Sequence, residues 1–223
     1  MMGGMLRSSI CSVILLLVVG NSCVKGEVAL APVDTLEGYV ARLLINETAF
    51  PGEEFWLSED DTCSAQKAII CVLRNRLHAI PVGYTQRQIA AVKTDDVFDI
   101  ITAGGEHGQV EGFYRDENGR PVMVDRVRER VDYLVALANR GKPGRIARML
   151  QHAQSLASQF VSELPKDRFE LLSEIDGVPV TGCAYGWMTD RECYRVGGSF
   201  VRITDKWRGG MGGNRFFSLK KRL

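Results

Sequence analysis

One stretch constrains the fold of this chain more than any other: from Ser58 to Pro81, apolar residues recur at helical spacing. Ala65, Ala68, Ile69, Val72, Leu73 and Leu77 form a single stripe when the segment is wound as an α-helix. Ser58 with Asp61 three residues on supplies an N-terminal cap, and Pro81 forbids continuation, so the spacing predicts a long helix ending near Ala79. Such a helix must bury its stripe against other elements, which sets the rest of the chain the task of packing around it.

Further helices are legible on both sides. Asp34 with Glu37 has the spacing of a capping signature, and Leu36, Val40, Leu43 and Leu44 follow, which predicts a first helix over 35–47. Phe50-Pro51-Gly52 ends it. Thr85 with Gln88 opens a short helix through Val92, and Asp95 to Ile101 forms one more turn. The glycine-rich segment from Thr102 to Gly119 reads as an ordered loop or a short hairpin. From Pro121 the pattern turns helical, with Val127, Val131, Leu134 and Leu137 on one face and Gly141 as a stop. Another helix starts near Pro143 and carries Ile146, Leu150, Ala157 and Val161 towards Pro165.

Beyond Gly177 the texture changes to short runs separated by glycines: Val178 to Trp187, Cys193 to Ile203 and Arg215 to Leu219. These predict a small sheet or a pair of hairpins. The expected class is therefore α+β, predominantly α-helical, as a single domain with its β part near the C-terminus. No repeat of fixed period is visible.

The amino terminus reads as a leader. Arg7 precedes an apolar run from Ile10 to Val19, then Gly20-Asn21-Ser22, the shape of a signal peptide. About ten residues are too few for a bilayer span, which needs roughly twenty. Cleavage fits after Ser22 or after Ala29-Leu30-Ala31. The expected organisation is a leader over 1–31 and one domain over 32–223, exported to the periplasm or beyond. Lipid attachment at Cys23 is the second reading. About 190 residues then remain, enough for one core.

Export makes disulfides plausible among Cys63, Cys71, Cys183 and Cys193, with three pairings possible. Cys63 and Cys71 on one helix would stand about 12 Å apart, beyond disulfide reach. The formal net charge is +1 over 223 residues, yet Lys206, Arg208, Arg215, Lys220, Lys221 and Arg222 crowd the last eighteen. That tail suits an anionic polymer or surface, or simply solvent. His78, His107 and His152 are too scattered for zinc-ligand spacing, and neither a phosphate loop nor a dinucleotide fingerprint is present, so no metal and no cofactor is expected. Cys63 and Cys71 fall within a helix, where structural roles are commoner than nucleophilic ones.

Chemistry points to Glu47. It stands four residues after Leu43 and continues the apolar stripe of the first helix, which desolvates its carboxyl in part. A carboxylic acid can protonate a leaving oxygen near neutral pH only when an apolar setting raises its pKa. An exposed carboxylate at a helix end is the alternative reading. Gln109, Tyr114 and Phe113, with Tyr185 and Trp187, have the content of a glycan groove: an amide for hydroxyl and acetamido groups, and aromatic faces for sugar rings.

These residues fall in motifs that resemble a family. Gln66-Lys67-Ala68-Ile69-Ile70-Cys71-Val72-Leu73-Arg74-Asn75-Arg76-Leu77 is similar to the Gln-x-Ala-Val-Ala-x-Val-x-x-Asn-Arg-Val helix of cell-wall hydrolases of the spore-cortex-lytic (SleB/CwlJ) type, in the lysozyme-like superfamily. Asn46-Glu47-Thr48-Ala49-Phe50-Pro51-Gly52-Glu53 resembles that family's Glu-Ala-x-Gly-Glu segment with two extra residues. Thr181-Gly182-Cys183-Ala184-Tyr185-Gly186-Trp187 is similar to its Thr-x-Gly-Ala-x-x-Phe turn, and Gly213-Asn214-Arg215-Phe216-Phe217 to its closing Gly-Asn-His-x-Phe, with Arg215 in place of the histidine.

The resemblance implies a lysozyme-like fold and cleavage of peptidoglycan glycan strands, as a lytic transglycosylase or a muramidase. It places the catalytic acid on Glu47, with Glu53 as the alternative, and puts Asn75 beside the substrate. A transglycosylase needs one acid/base group, because a hydroxyl of the substrate replaces water. A hydrolase would need a partner carboxylate some 5–9.5 Å away, for which Glu53, Glu54 and Glu106 stand as candidates. The expected partner is the glycan strand, with no nucleic acid, a peripheral envelope location and a monomeric state. The competing hypothesis is a non-catalytic envelope module, glycan-binding or inhibitory, on the same scaffold.

Overall fold

The computed structural model describes residues 27–140, 144–160, 166–189 and 198–222. Most of the predicted leader, Cys23, Cys193, Gly141, Pro143, Val161 and Pro165 lie outside them. Chain order runs α1 (Leu36–Asn46), α2 (Glu59–His78), α3 (Gln86–Ala90), α4 (Val97–Thr102), β1 (Phe113–Arg115), β2 (Pro121–Met123), α5 (Asp125–Ala138), α6 (Arg145–Gln159), β3 (Glu174–Ile175), β4 (Val178–Pro179), β5 (Gly186–Thr189), β6 (Phe200–Arg202), β7 (Gly210–Met211) and β8 (Asn214–Leu219). The class is α+β, with the helices first and most of the strands last.

α1 is the centre of the packing. Tyr39, Val40, Ala41, Leu43, Leu44 and Ile45 are all fully buried, so the helix is enclosed on nearly every side by α2, α5 and α6. It packs most extensively on α6, which buries the small side chains Ala147, Ala153 and Ala157. Near the start of α1, Tyr39 holds the β1–β2 hairpin: its hydroxyl reaches Val122 O at 2.8 Å and Tyr114 O at 3.3 Å, and its ring meets Phe113 edge-on. The far end of the same helix delivers Glu47.

Two sequence expectations are corrected. The cap of α1 is Thr35, whose Oγ1 accepts from Gly38 N at 3.1 Å; the Asp34–Glu37 pair does not form. Glu37 is drawn instead to Gln154 and Ser158 on α6, a tertiary contact that outcompetes the local one. Thr35→Ala is expected to cost about 1 kcal/mol in urea unfolding, the typical worth of a cap. An unchanged midpoint would show that the turn before α1 carries no stability.

The second correction concerns Pro121, which opens a strand and not a helix. Pro121–Met123 pairs antiparallel with Phe113–Arg115, and α5 begins only at Asp125. Proline is tolerated there because it occupies the first position of a two-stranded edge, where its missing N–H breaks no ladder. α5 then buries Val127, Val131, Leu134 and Ala138, with Leu137 only partly covered.

The C-terminal sheet has the order β5-β8-β6, with β7 also pairing β8. Every residue of β8 is buried. The sheet locks onto α2 at both of that helix's ends. Near its start, Gly212 N donates to Asp61 Oδ2 at 2.7 Å. Gly212 has φ +58°, and a Cβ there would lie 2.4 Å from Ala65 Cβ, so only glycine permits this approach. Near the helix end, Asn75 and Arg76 hold the carbonyls of Ala184 and Tyr185 at 3.0 and 2.8 Å. No helix among the described residues is long and apolar enough to cross a membrane. Cys63 and Cys183 carry free thiols and Cys71 is buried in α2, so no disulfide joins the described cysteines.

Candidate functional site

Glu47 is the residue at which α1 ends. Its N–H still donates to Leu43 O at 2.9 Å, while φ −83° and ψ −2° begin the departure from the helix. Continuing the turn keeps its side chain on the inner face, as the spacing from Leu43 predicts. The residue is partly covered, and its carboxyl takes two donors: Asn46 Nδ2 to Oε1 at 3.0 Å and Trp187 Nε1 to Oε2 at 2.9 Å. Its carbonyl accepts from the buried amide of Asn214. Both ends of the residue are therefore held.

Burial pushes the Glu47 carboxyl above its ordinary pKa, against the pull of the Trp187 and Asn46 donors and the Arg130 charge; the Glu111 carboxylate adds to the rise. Three groups favour the ionised form, and desolvation outweighs them. A carboxyl whose proton is held more tightly than usual and whose two oxygens are fixed is suited to general acid–base work.

Trp187 is set by its strand. It lies on β5 opposite Phe216 of β8, and the guanidinium of Arg76 sits 5.3 Å from its ring centroid. Arg76 is itself buried and pushed down to about 10 by desolvation; its Nε donates to Tyr185 O, while its Nη1 finds no hydrogen-bond partner among the described residues. Glu47, the Asn75-Arg76 end of α2, Trp187 and Asn214 come from four separated motifs, and the fold brings them to one place.

Glu53 is placed differently. Its carboxylate accepts from Arg130 Nε at 2.9 Å, from Arg130 Nη2 at 2.7 Å and from Phe50 N at 2.7 Å. Arg130 also holds the carbonyls of Ile45 and Thr48 at 2.7 and 2.9 Å. The pair clamps the turn that follows α1.

Asn75 is buried, with its amide donated to Asp167 Oδ2 at 2.6 Å and to Ala184 O, so it joins α2 to the sheet. Tyr185 is also buried: its hydroxyl donates to Ala79 O at 2.7 Å, burial holds the phenol well above its usual range, and it packs with Ile89 and Leu219. Neither has a free face for a sugar. Gln109 is exposed, and Tyr114, within β1, is half-buried. Glu54 and Glu106 are exposed. Arg215, where the resembled motif has histidine, is buried and pairs with Asp205.

Two residues escaped the sequence reading. Glu111 is the carboxylate whose charge reaches Glu47; it is exposed and ion-paired to Arg126 at 2.6 Å. Arg130 looks like one more solvated position of α5. A single polar chain also backs the site: His152 Nδ1 contacts the fully buried Gln66 Oε1 at 2.7 Å, and Gln66 Nε2 reaches Thr48 Oγ1 at 3.4 Å. Burial, with the nearby Lys67 charge, holds the His152 imidazole below its ordinary value. Among the described residues, no three His, Cys, Asp or Glu side chains converge as a metal site would require.

Two of the concavities among the described residues are open to solvent. One, of about 490 Å³, is lined by Leu77, Ile80, Thr85, Gln86, Arg87 and Lys93; the other, of about 200 Å³, lies beside Trp207. Neither is lined by Glu47. The chain matches no family model, no curated protein and no solved structure.

Proposed function

We propose that this protein cleaves the glycan strands of peptidoglycan on a lysozyme-like scaffold, with Glu47 as general acid. The observation that carries the reading is the state of that one carboxyl: half-buried at a helix end, aimed by Trp187 and Asn46, and raised in pKa by desolvation. Its protonated form donates to the glycosidic oxygen as the bond to the anomeric carbon breaks. The carboxylate left behind then takes a proton, either from a hydroxyl of the same sugar as it closes an anhydro ring, or from an attacking water.

Glu111 is the residue to watch in choosing between them. A lytic transglycosylase needs Glu47 alone, whereas a muramidase would use a second carboxylate, and Glu111 is the one within electrostatic reach. Mass spectrometry of muropeptides released from purified peptidoglycan decides: anhydro ends select the transglycosylase, reducing ends the hydrolase. Release of no soluble fragment would overturn the enzymatic reading. The second reading, a non-catalytic glycan-binding or inhibitor module, draws on the position of two concavities away from Glu47. A peptidoglycan substrate requires export, which the apolar run from Ile10 to Val19 supports.

Trp187→Phe tests the aim of the acid. The variant keeps a ring and loses the N–H that favours the ionised carboxyl, so Glu47 should hold its proton to higher pH. The alkaline limb of the pH–rate profile is expected to move upward, with a loss at the optimum of about tenfold or less. A downward shift would show that the indole does not bond the acid in the working enzyme.

A further inference from the structure

The 200 Å³ concavity is built from side chains that the mechanism above does not use. Trp207 closes a short 3-10 helix (Asp205–Trp207) with 42 % of its surface exposed, and Leu171, on the same rim, is 95 % exposed. Large apolar side chains at this exposure contribute little to the core. Facing them are Glu174 and Asp176 of the β3–β4 hairpin and Lys206.

The hairpin is a rigid mount. Ile175 pairs with Val178, and the two turn residues, Asp176 and Gly177, both have positive φ, +48° and +79°, as a two-residue hairpin of this twist requires. Gly177 N donates to Glu174 Oε1 at 3.1 Å, which orients that carboxylate. The ring, the carboxylates and the ammonium thus lie on short, turn-locked segments.

The chemistry selects a ligand class. Two carboxylates repel an anion, and the Lys206 ammonium, 5.4 Å from the Trp207 ring centroid, offsets one of their charges and brings a donor to the same rim. The mixed lining matches a molecule with hydroxyl donors for the carboxylates, acceptors for the ammonium and an apolar face for the indole: a pyranose. Leu171 offers a dry contact to a methyl-bearing substituent. The volume suits about one ring, below the range of drug-sized pockets.

We infer that Trp207, Leu171, Glu174, Asp176 and Lys206 form a second glycan subsite, which takes a neutral N-acetylated sugar and holds the strand at a point other than Glu47. The ligand class rests on the substrate reading above; the site itself does not involve the catalytic residues.

The test is titration of the full-length domain, wild type and Glu47→Gln, with a soluble chito-oligosaccharide by calorimetry. Both proteins should bind. Trp207→Ala should weaken binding about tenfold or more, as expected for loss of a stacked ring, while Trp207→Tyr retains most of it with an unchanged melting curve. Asp176→Asn, which tolerates the same backbone, should weaken it less. Absence of binding by the wild type, or equal binding by Trp207→Ala, would overturn the inference. Trp207-dependent binding by a protein that releases no fragments from peptidoglycan would uphold it and remove the cleavage reading instead.

Discussion

Glu47→Gln is expected to slow release of fragments from peptidoglycan by about 10²–10⁴-fold, the usual worth of a positioned general acid. The amide keeps the size and one acceptor of the protonated acid but has no proton to give. In the wild type, cleavage should fall as pH rises through the raised pKa of Glu47, because only the protonated form can act. A variant that cleaves at the wild-type rate would exclude Glu47 as the acid.

The same substitution has a stability signature with a defined sign. Since burial lifts the folded-state carboxyl above its unfolded value, its contribution is whole below the ordinary glutamate range and is lost as pH rises through the folded value. The Gln side chain resembles the protonated acid at every pH. Wild type and variant should therefore melt together in acid. Above the folded value the variant should be the more stable, on the order of 1 kcal/mol, or roughly 2–4 °C for a chain of this size. Melting curves across pH check this, and a variant less stable at high pH would mean that Glu47 is not desolvated.

Arg130→Ala is expected to have the largest effect on stability. It removes two hydrogen bonds to Glu53 and those to the carbonyls of Ile45 and Thr48, on either side of Glu47. The pair is partly solvated, with side-chain exposures of 26 % and 36 %, so the cost should be about 2 kcal/mol, below that of a fully buried pair. That corresponds to a fall in melting temperature of roughly 4–8 °C. Activity should drop with it, since the turn that aims Glu47 loses its anchor. Glu53→Gln should follow the same pattern, losing stability first and rate in consequence, and the double variant should cost less than the sum. Were Glu53 the acid, its substitution would abolish cleavage while leaving the melting curve in place.

Comparison of particular elements shows where the sequence was readable. The cap at Ser58, the stripe from Ala65 to Leu73 and the helix end beside Ala79 all follow from neighbours within four residues, and the structure has them where the spacing predicts. The partly covered position of Glu47 at the end of α1 was legible for the same reason, through its step from Leu43. The segment of the β1–β2 hairpin reads equally as a loop, because the Tyr39 hydroxyl that meets its carbonyls lies far away in the chain. The cap of α1 was misassigned because Glu37 has a better partner on α6.

The partners of the candidate acid lie outside that local range. Trp187 is 140 residues from Glu47, Arg130 is 77 from Glu53, and Arg76 is 109 from the carbonyl it holds. Nothing in a helix period or a capping rule distinguishes Arg130 from the solvated arginines of α5, or the buried Tyr185 from a groove tyrosine. By itself the chain determined which segments coil and which face most of them bury, since those depend on steric and hydrogen-bonding choices among near neighbours. Only tertiary packing decided which groups surround the Glu47 carboxyl and how far they desolvate it, because a pKa depends on what lies within a few ångströms in space, irrespective of distance along the chain.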